Sequence, residues 1–355
     1  MSLLRHSRLR FLAIFMVLAL VLAACGNDED TNGDNGAATD GAATWDQPIV
    51  FGDFNWDSAL FHNRVAQYIV ENGYGYETDT LAATTAPMLQ GMKDDQVHVV
   101  TEMWIENLPD SYHEDVEAGE YVDLGANYSE SIQGWFVPTY VIEGDEERGI
   151  EPMAPDLQSV EDLPQYAEVF NDPEDPGKGR IYHGVGGWEA TEISQAKVDA
   201  YGLADTYNGF LPGSEAALFT SLQSAYQRGD AWIGYLWMPS WVAAQLDLTM
   251  VEEPEYTDDC WDQIMSGEEA CAFPNVRVNV VANPRFAAAA PEVIEFLENY
   301  ESTMDETSEV LLYMVDTDST AEEAAIWWLQ ENEDTWTSWV PEDVAEGVRA
   351  ALDRP

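Results

Sequence analysis

Basic residues are scarce in this chain. It holds 14 lysines and arginines against 67 aspartates and glutamates, a formal charge of -53 at pH 7. Such a surface repels phosphate backbones and anionic lipid, which argues against nucleic acid and acidic membranes as partners. Yet 46% of residues are hydrophobic and 12% aromatic, which is not the make-up of a disordered polyanion. The acid is expected outside a folded core, where salt relieves its self-repulsion, and a high-salt habitat fits that pattern.

Cysteine is equally sparse, at three residues. Cys25 follows Leu22-Ala23-Ala24 and closes an N-terminal segment in which Arg5, Arg8 and Arg10 precede the apolar run Phe11 to Leu22. That run is short for a membrane span, so residues 1–24 read as a lipoprotein signal peptide, with cleavage before Cys25 and a lipid on its thiol. Residues 25–44 are rich in Gly, Asn, Asp, Ala and Thr and read as a disordered linker. Export leaves Cys260 and Cys271 as a pair in an oxidising compartment, where a disulfide is the natural expectation. No second ligand pair flanks them, so no metal site is expected.

Catalytic signatures are missing too. There is no Gly-rich phosphate loop, no His-Glu-x-x-His and no nucleophile-elbow serine, and His62, His98, His113 and His183 show no pattern of partners. An enzyme is not expected, and no cofactor is implied.

Tryptophan, by contrast, is plentiful, with 13 residues. Three stretches share one form, an apolar strand that delivers an indole into a loop: Val97 to Trp104, Arg180 to Trp188, and Ala231 to Trp237 ahead of Pro239. Three indoles presented at strand exits make walls for one aromatic box, whose faces attract a cation that has no proton to donate. Trp327, Trp328, Trp336 and Trp339, on or near a C-terminal helix, read as packing.

The first part of the folded region alternates strand, helix, strand, helix, strand from Pro48 to Trp104, which predicts an α/β lobe with a largely parallel sheet. Within it, Asn72 and Gly73 should stop the helix that begins at Ser58. Gln133 to Ile142 is read as an extended crossing broken by Pro138, and Val276 to Ala282 as the strand that carries the chain back. The expected division is residues 45–137 and 280–355 in lobe 1 and residues 138–279 in lobe 2. Two lobes joined by two crossings make a hinge with a central cleft.

The motifs Thr101-Glu-Met-Trp104, Gly134-Trp-Phe-Val-Pro-Thr-Tyr140, Gly184-Val-Gly-Gly-Trp188, Trp237-Met-Pro-Ser-Trp241 and the tail from Trp327 resemble those of substrate-binding proteins of ABC transporters for glycine betaine, proline betaine and choline. The resemblance runs from about Ile49 to the C-terminus. It implies an α/β, two-lobed, type II periplasmic-binding-protein-like fold, a monomer that hands a quaternary amine to permease subunits from the outer face of the membrane. It also implies that Trp104, Trp188 and Trp237 form the box, that Trp56 and Trp135 occupy positions some choline-binding members use, and that the loop at Gly187 and Glu189 binds a carboxylate. Where betaine-specific relatives can carry a histidine past the first box tryptophan, this chain has Leu108. Asp57, Glu102 and Glu189 fall near the expected pocket, where an acid would repel a carboxylate but accept a hydrogen bond from choline's hydroxyl.

Glycine betaine is the favoured cargo on this reading, and choline the alternative. A sugar would want more polar groups beside the rings, and a hydrolase would require two acids such as Glu102 and Glu189 to converge in the cleft.

Overall fold

The computed structural model describes residues 45–354. The expected signal segment, Cys25 and the linker to residue 44 lie outside them. No helix among the described residues is long and apolar enough to cross a membrane.

The chain runs β1 (Ile49–Asp53), α1 (Asp57–Ile69), β2 (Thr78–Ala82), α2 (Thr85–Lys93), β3 (Val99–Trp104), α3 (Asp110–Ala118) and β4 (Val122–Tyr128) through a first lobe. It then enters a second with β5 (Ile132–Pro138), α4 (Thr139–Glu143), β6 (Gly179–Tyr182), α5 (Glu189–Ala200), β7 (Tyr207–Phe210), α6 (Glu215–Arg228), β8 (Gly234–Met238), α7 (Trp241–Gln245), β9 (Leu248–Met250) and α8 (Asp258–Trp261). The return is β10 (Val278–Ala282), followed by α9 (Pro284–Ala289), α10 (Pro291–Asn299), α11 (Met304–Thr317), α12 (Ala321–Glu331), α13 (Glu333–Trp336) and α14 (Glu342–Leu352).

Each lobe carries a five-stranded sheet, ordered β2-β1-β3-β10-β4 in the first and β7-β6-β8-β5-β9 in the second. Strands β2, β1 and β3 of the first sheet and β7, β6 and β8 of the second run parallel, while the strand arriving from the other lobe, β10 or β5, is antiparallel to its neighbours. Both sheets therefore aim the carboxyl ends of their parallel strands at the cleft, where open α/β sheets receive ligands.

The lobe boundary differs from the sequence reading. The expected lobe 1 segment runs to residue 137, but the backbone groups of β5 are paired with β8 and β9, so the outward crossing lies between Tyr128 and Ile132. Pro138 ends a strand rather than a lobe, and Thr139 opens a helix instead of continuing the extended segment. The return crossing likewise precedes Val278, because β10 pairs with β3 and β4 from its first residue. The two crossings are bonded to each other. Ser131 Oγ donates to the Val276 carbonyl at 2.8 Å and its amide donates to Asn275 Oδ1 at 3.1 Å.

Asn72 and Gly73 do not stop α1, which continues as a wider π turn over Val70–Tyr74 and ends at Gly75 with φ +79°. Gly73 is needed for proximity: a Cβ there would lie 2.5 Å from Val344 Cγ1 on α14. The C-terminal tryptophans pack as read. Trp327 stacks on Tyr313 at 3.9 Å, Trp328 on Trp339 at 5.6 Å, and Trp336 is fully buried. Cys260 and Cys271 are joined, both buried, in lobe 2.

Apolar packing continues from lobe 1 through the cleft into lobe 2, taking in Phe54, Met88 and Met103 on one side and Trp188, Phe219 and Trp237 on the other. The lobes are closed on each other. Thr85 donates its amide to the Gly187 carbonyl at 3.4 Å, and Trp261 donates its indole N–H to the Glu106 carbonyl at 3.1 Å.

Candidate ligand-binding site

One cavity of about 480 Å³, counting its open mouth, lies between the lobes and is walled by Phe54, Trp56, Trp104, Trp188, Tyr235 and Trp237. The aromatics come from four strand exits. Phe54 and Trp56 follow β1, Trp104 ends β3, Trp188 closes the loop after β6 as the N-cap of α5, and Tyr235 and Trp237 alternate along β8. On a strand, residues two apart share a face, so Tyr235 and Trp237 turn to the cleft together.

The rings brace one another at steep angles. Trp188 meets Trp56 edge-on at 5.6 Å and Trp237 edge-on at 5.2 Å, with planes at 81° and 90°. Phe54 stacks on Trp56 at 4.4 Å, and Tyr235 on Trp237 at 5.8 Å. Perpendicular neighbours satisfy the ring quadrupoles and leave several faces turned inward.

Two of the indole N–H groups and the Tyr235 hydroxyl are tied to polar side chains, which fixes the orientation of those rings. Trp188 Nε1 reaches across the cleft to Asn55 Oδ1 at 2.6 Å. Trp56 Nε1 donates to Glu102 Oε2 at 2.6 Å, an oxygen that also accepts from Ser58 Oγ at 3.1 Å, while Oε1 accepts from the Tyr128 hydroxyl at 3.1 Å. Tyr235 donates to Gln133 Oε1 at 2.7 Å, and Gln133 is bonded in turn to Asn107 of lobe 1.

Two acidic residues line the cavity, Glu102 and Glu189, and its lining contains no lysine, arginine or histidine. Burial pushes the Glu102 carboxyl up to about 7, against the opposing pull of the hydrogen bonds from Trp56, Ser58, Tyr128 and Trp104. Burial, with Glu192 nearby, also raises Glu189. His62 Nε2 lies 3.7 Å from Glu102, an ion-pair distance, but burial holds that imidazole down at about 3 and it stays neutral. Its two nitrogens are engaged by the hydroxyls of Tyr300 and Thr307.

Of the residues singled out from sequence, the fold brings Trp56, Trp104, Trp188, Trp237, Glu102, Leu108 and Glu189 onto the cavity wall. It does not bring Trp135 there. Trp135 sits two residues further along β5 than Gln133, about 7 Å from the cleft edge of the sheet, where its Nε1 donates to Ser194 Oγ at 2.8 Å and its ring meets Tyr201 edge-on. Asp57 is behind the wall. Its amide donates to Glu215 Oε2 across the lobes at 2.9 Å, and burial raises its carboxyl. Gly187 is beside the cavity rather than in it, with φ +92° and a Cβ position only 2.9 Å from Thr84 of lobe 1. The amides of Glu189 and Ala190 open α5, and as first-turn amides they have no partner inside the helix.

Phe54, Asn107 and Gln133 were not anticipated. Phe54 carried a signal, its two-residue spacing from Trp56 at a strand exit; the polar pair carried none, because it is assembled by lobe closure.

A family model described as the substrate-binding domain of ABC-type glycine betaine transport systems (OpuAC) matches residues 47–331. The trimethylamine N-oxide-binding protein of Pelagibacter ubique is 27% identical over 304 residues, 85% of this chain and 93% of that one. Among solved structures, the glycine betaine, L-proline-binding protein of Borrelia burgdorferi superposes with a TM-score of 0.68 at 20% identity, covering 85% of this chain and all of its own. A choline-binding protein solved with choline gives 0.67 at 17% identity over 86% and 98% of the two chains. Lactococcal OpuAC, closed on glycine betaine, gives 0.64 at 19% identity over 83% and 100%. These likenesses give the type II periplasmic-binding-protein-like fold, and the family is one of transport receptors, which removes the hydrolase alternative. The chain belongs to the substrate-binding-domain family of ABC-type glycine betaine transport systems.

Proposed function

We propose that this chain is the extracytoplasmic receptor of an ABC importer, anchored through a lipid on Cys25, and that its cargo is a compact trimethylammonium solute, with glycine betaine favoured. The observation that carries the reading is the convergence of Trp56, Trp104, Trp188 and Trp237 from both lobes on one cavity. A quaternary nitrogen donates no conventional hydrogen bond, so aromatic faces hold it by quadrupole and dispersion at about 0.5–2 kcal/mol per ring. Several rings together reach the micromolar range, about 8 kcal/mol. The betaine carboxylate would take the opening amides of α5, where the helix dipole favours an anion. The lining is too poor in polar hydrogen-bonding groups for a sugar.

A second reading has an observation in its favour. The polar side chains of the wall include two acids and no base, which suits a cargo without a carboxylate, and the Pelagibacter relative is named for trimethylamine N-oxide. Choline remains the other alternative, its hydroxyl donating to Glu189.

Calorimetric titration of the purified protein in high salt with glycine betaine, choline, trimethylamine N-oxide and a tert-butyl analogue lacking the charged nitrogen separates these. Saturable binding of one or more of the three, none of the analogue, and at least a tenfold loss in Trp188→Ala and Trp237→Ala are expected, about 1.4 kcal/mol or more per ring. Equal binding of the tert-butyl analogue would remove the cation from the account.

A further inference from the structure

Glu102 is an acid without a base. The residue is 1% exposed, and the described residues place no lysine or arginine within ion-pair reach of it. The titratable groups around it are neutral or acidic: His62 on α1, Tyr128 on β4, Tyr300 after α10, Glu215 on α6 of the other lobe with Asp57 beside it, and Glu189 of α5 on the same cavity wall, with Glu306 on α11 further out behind Tyr300. Burial keeps His62 neutral, raises Asp57, and raises Glu215 well above the ordinary carboxyl range. Among the described residues, none within ion-pair reach supplies the positive charge that a buried carboxylate needs. Glu102 lines the aromatic cavity, whose rings favour a cation.

We infer that Glu102 is the proton-coupled counter-ion of the box. It holds a proton while no cation is present, and releases it to solvent when a trimethylammonium head enters. The carboxyl O–H bond breaks, the oxygen keeps the electron pair, and the proton leaves for the buffer. Trp56 from the cavity wall, and Ser58 and Tyr128 behind it, donate to the resulting anion, so the new charge is already solvated by fixed donors. The inference rests on the cation-binding reading above and makes Glu102, an acid that the sequence places near the pocket, a positioning and charge-selecting residue.

With the empty-site carboxyl at about 7, binding should release about half a proton at pH 7 and almost none at pH 8.5, and affinity should rise roughly 30-fold from pH 5.5 to pH 8. The measurement is calorimetric titration of the wild-type protein with glycine betaine, choline and trimethylamine N-oxide, in buffers of low and high ionisation enthalpy across that range. In Glu102→Gln the buffer dependence should vanish and the affinity profile flatten. An infrared difference spectrum of wild type, losing a protonated-carboxyl band on binding, gives the same answer if the variant does not fold. Saturable binding with identical heats in both buffers at pH 7, or proton uptake, overturns the counter-ion role while leaving the cargo class intact. Absence of saturable binding by all three solutes sinks the cargo class and the counter-ion role with it.

Discussion

Trp56 turns its face to the cavity and its edge to Glu102, so a single side chain joins the box to its buried charge. Trp56→Phe keeps an aromatic face but removes a donor to a buried carboxyl, a loss of about 1.5–3 kcal/mol for a charge-assisted bond. Binding of the preferred solute should weaken roughly tenfold or more, and Glu102 should titrate at higher pH than in wild type, both read by calorimetry. At this scale the sequence was informative where an indole sat at the end of an apolar run, as Trp104, Trp188 and Trp237 do. The family resemblance misled at Trp135, which lies two residues further along its strand than the wall residue Gln133. That position is set by the register of β5 against β8, where Gln133, not Trp135, lies opposite Trp237.

The loop from β6 to α5 shows how an element carries function. Gly187 adopts φ +92° and fits against Thr84 of the other lobe with no room for a Cβ, and the Asn55 to Trp188 bond lies beside it. Gly187→Ala places a side chain in a left-handed conformation, at about 1–3 kcal/mol, and in a contact that exists only when the lobes meet. Affinity should fall at least tenfold while the melting temperature of the unliganded protein changes little by comparison, measured by calorimetry and thermal unfolding on the same preparations. The alternation of strands and helices in lobe 1 was legible because its β-branched and amphipathic runs are long. The short strands β7 and β9, and the assignment of β5 to lobe 2, were not, because their pairing is with strands distant in sequence.

For the whole molecule, charge and burial act in opposite directions with pH. His62 and His183 are held by burial at about 3 and about 4. Each contributes stability that is present above its unfolded value near 6.5 and lost as pH falls through the folded one. Glu102 works the other way. Raised to about 7, it contributes stability that is fully present below the unfolded value near 4.5 and is lost as pH rises through 7. A bound cation offsets that loss, so the rise in melting temperature on adding solute should be larger at pH 8 than at pH 6; equal rises would speak against the pairing of Glu102 with the cargo. The net charge of -53 adds self-repulsion that salt screens, and melting temperature should climb steadily from low to molar sodium chloride.

The most direct measurement of the trimethylammonium box is the proton NMR signal of the solute's own methyl groups when bound. With ¹³C-methyl glycine betaine or trimethylamine N-oxide, the bound resonance should move upfield, because methyls over indole faces sit in their ring currents, and the shift should shrink in Trp188→Ala and Trp237→Ala. Saturable binding with the methyl resonance unmoved, or with a shift indifferent to both substitutions, would place the cargo outside the tryptophans and contradict the box.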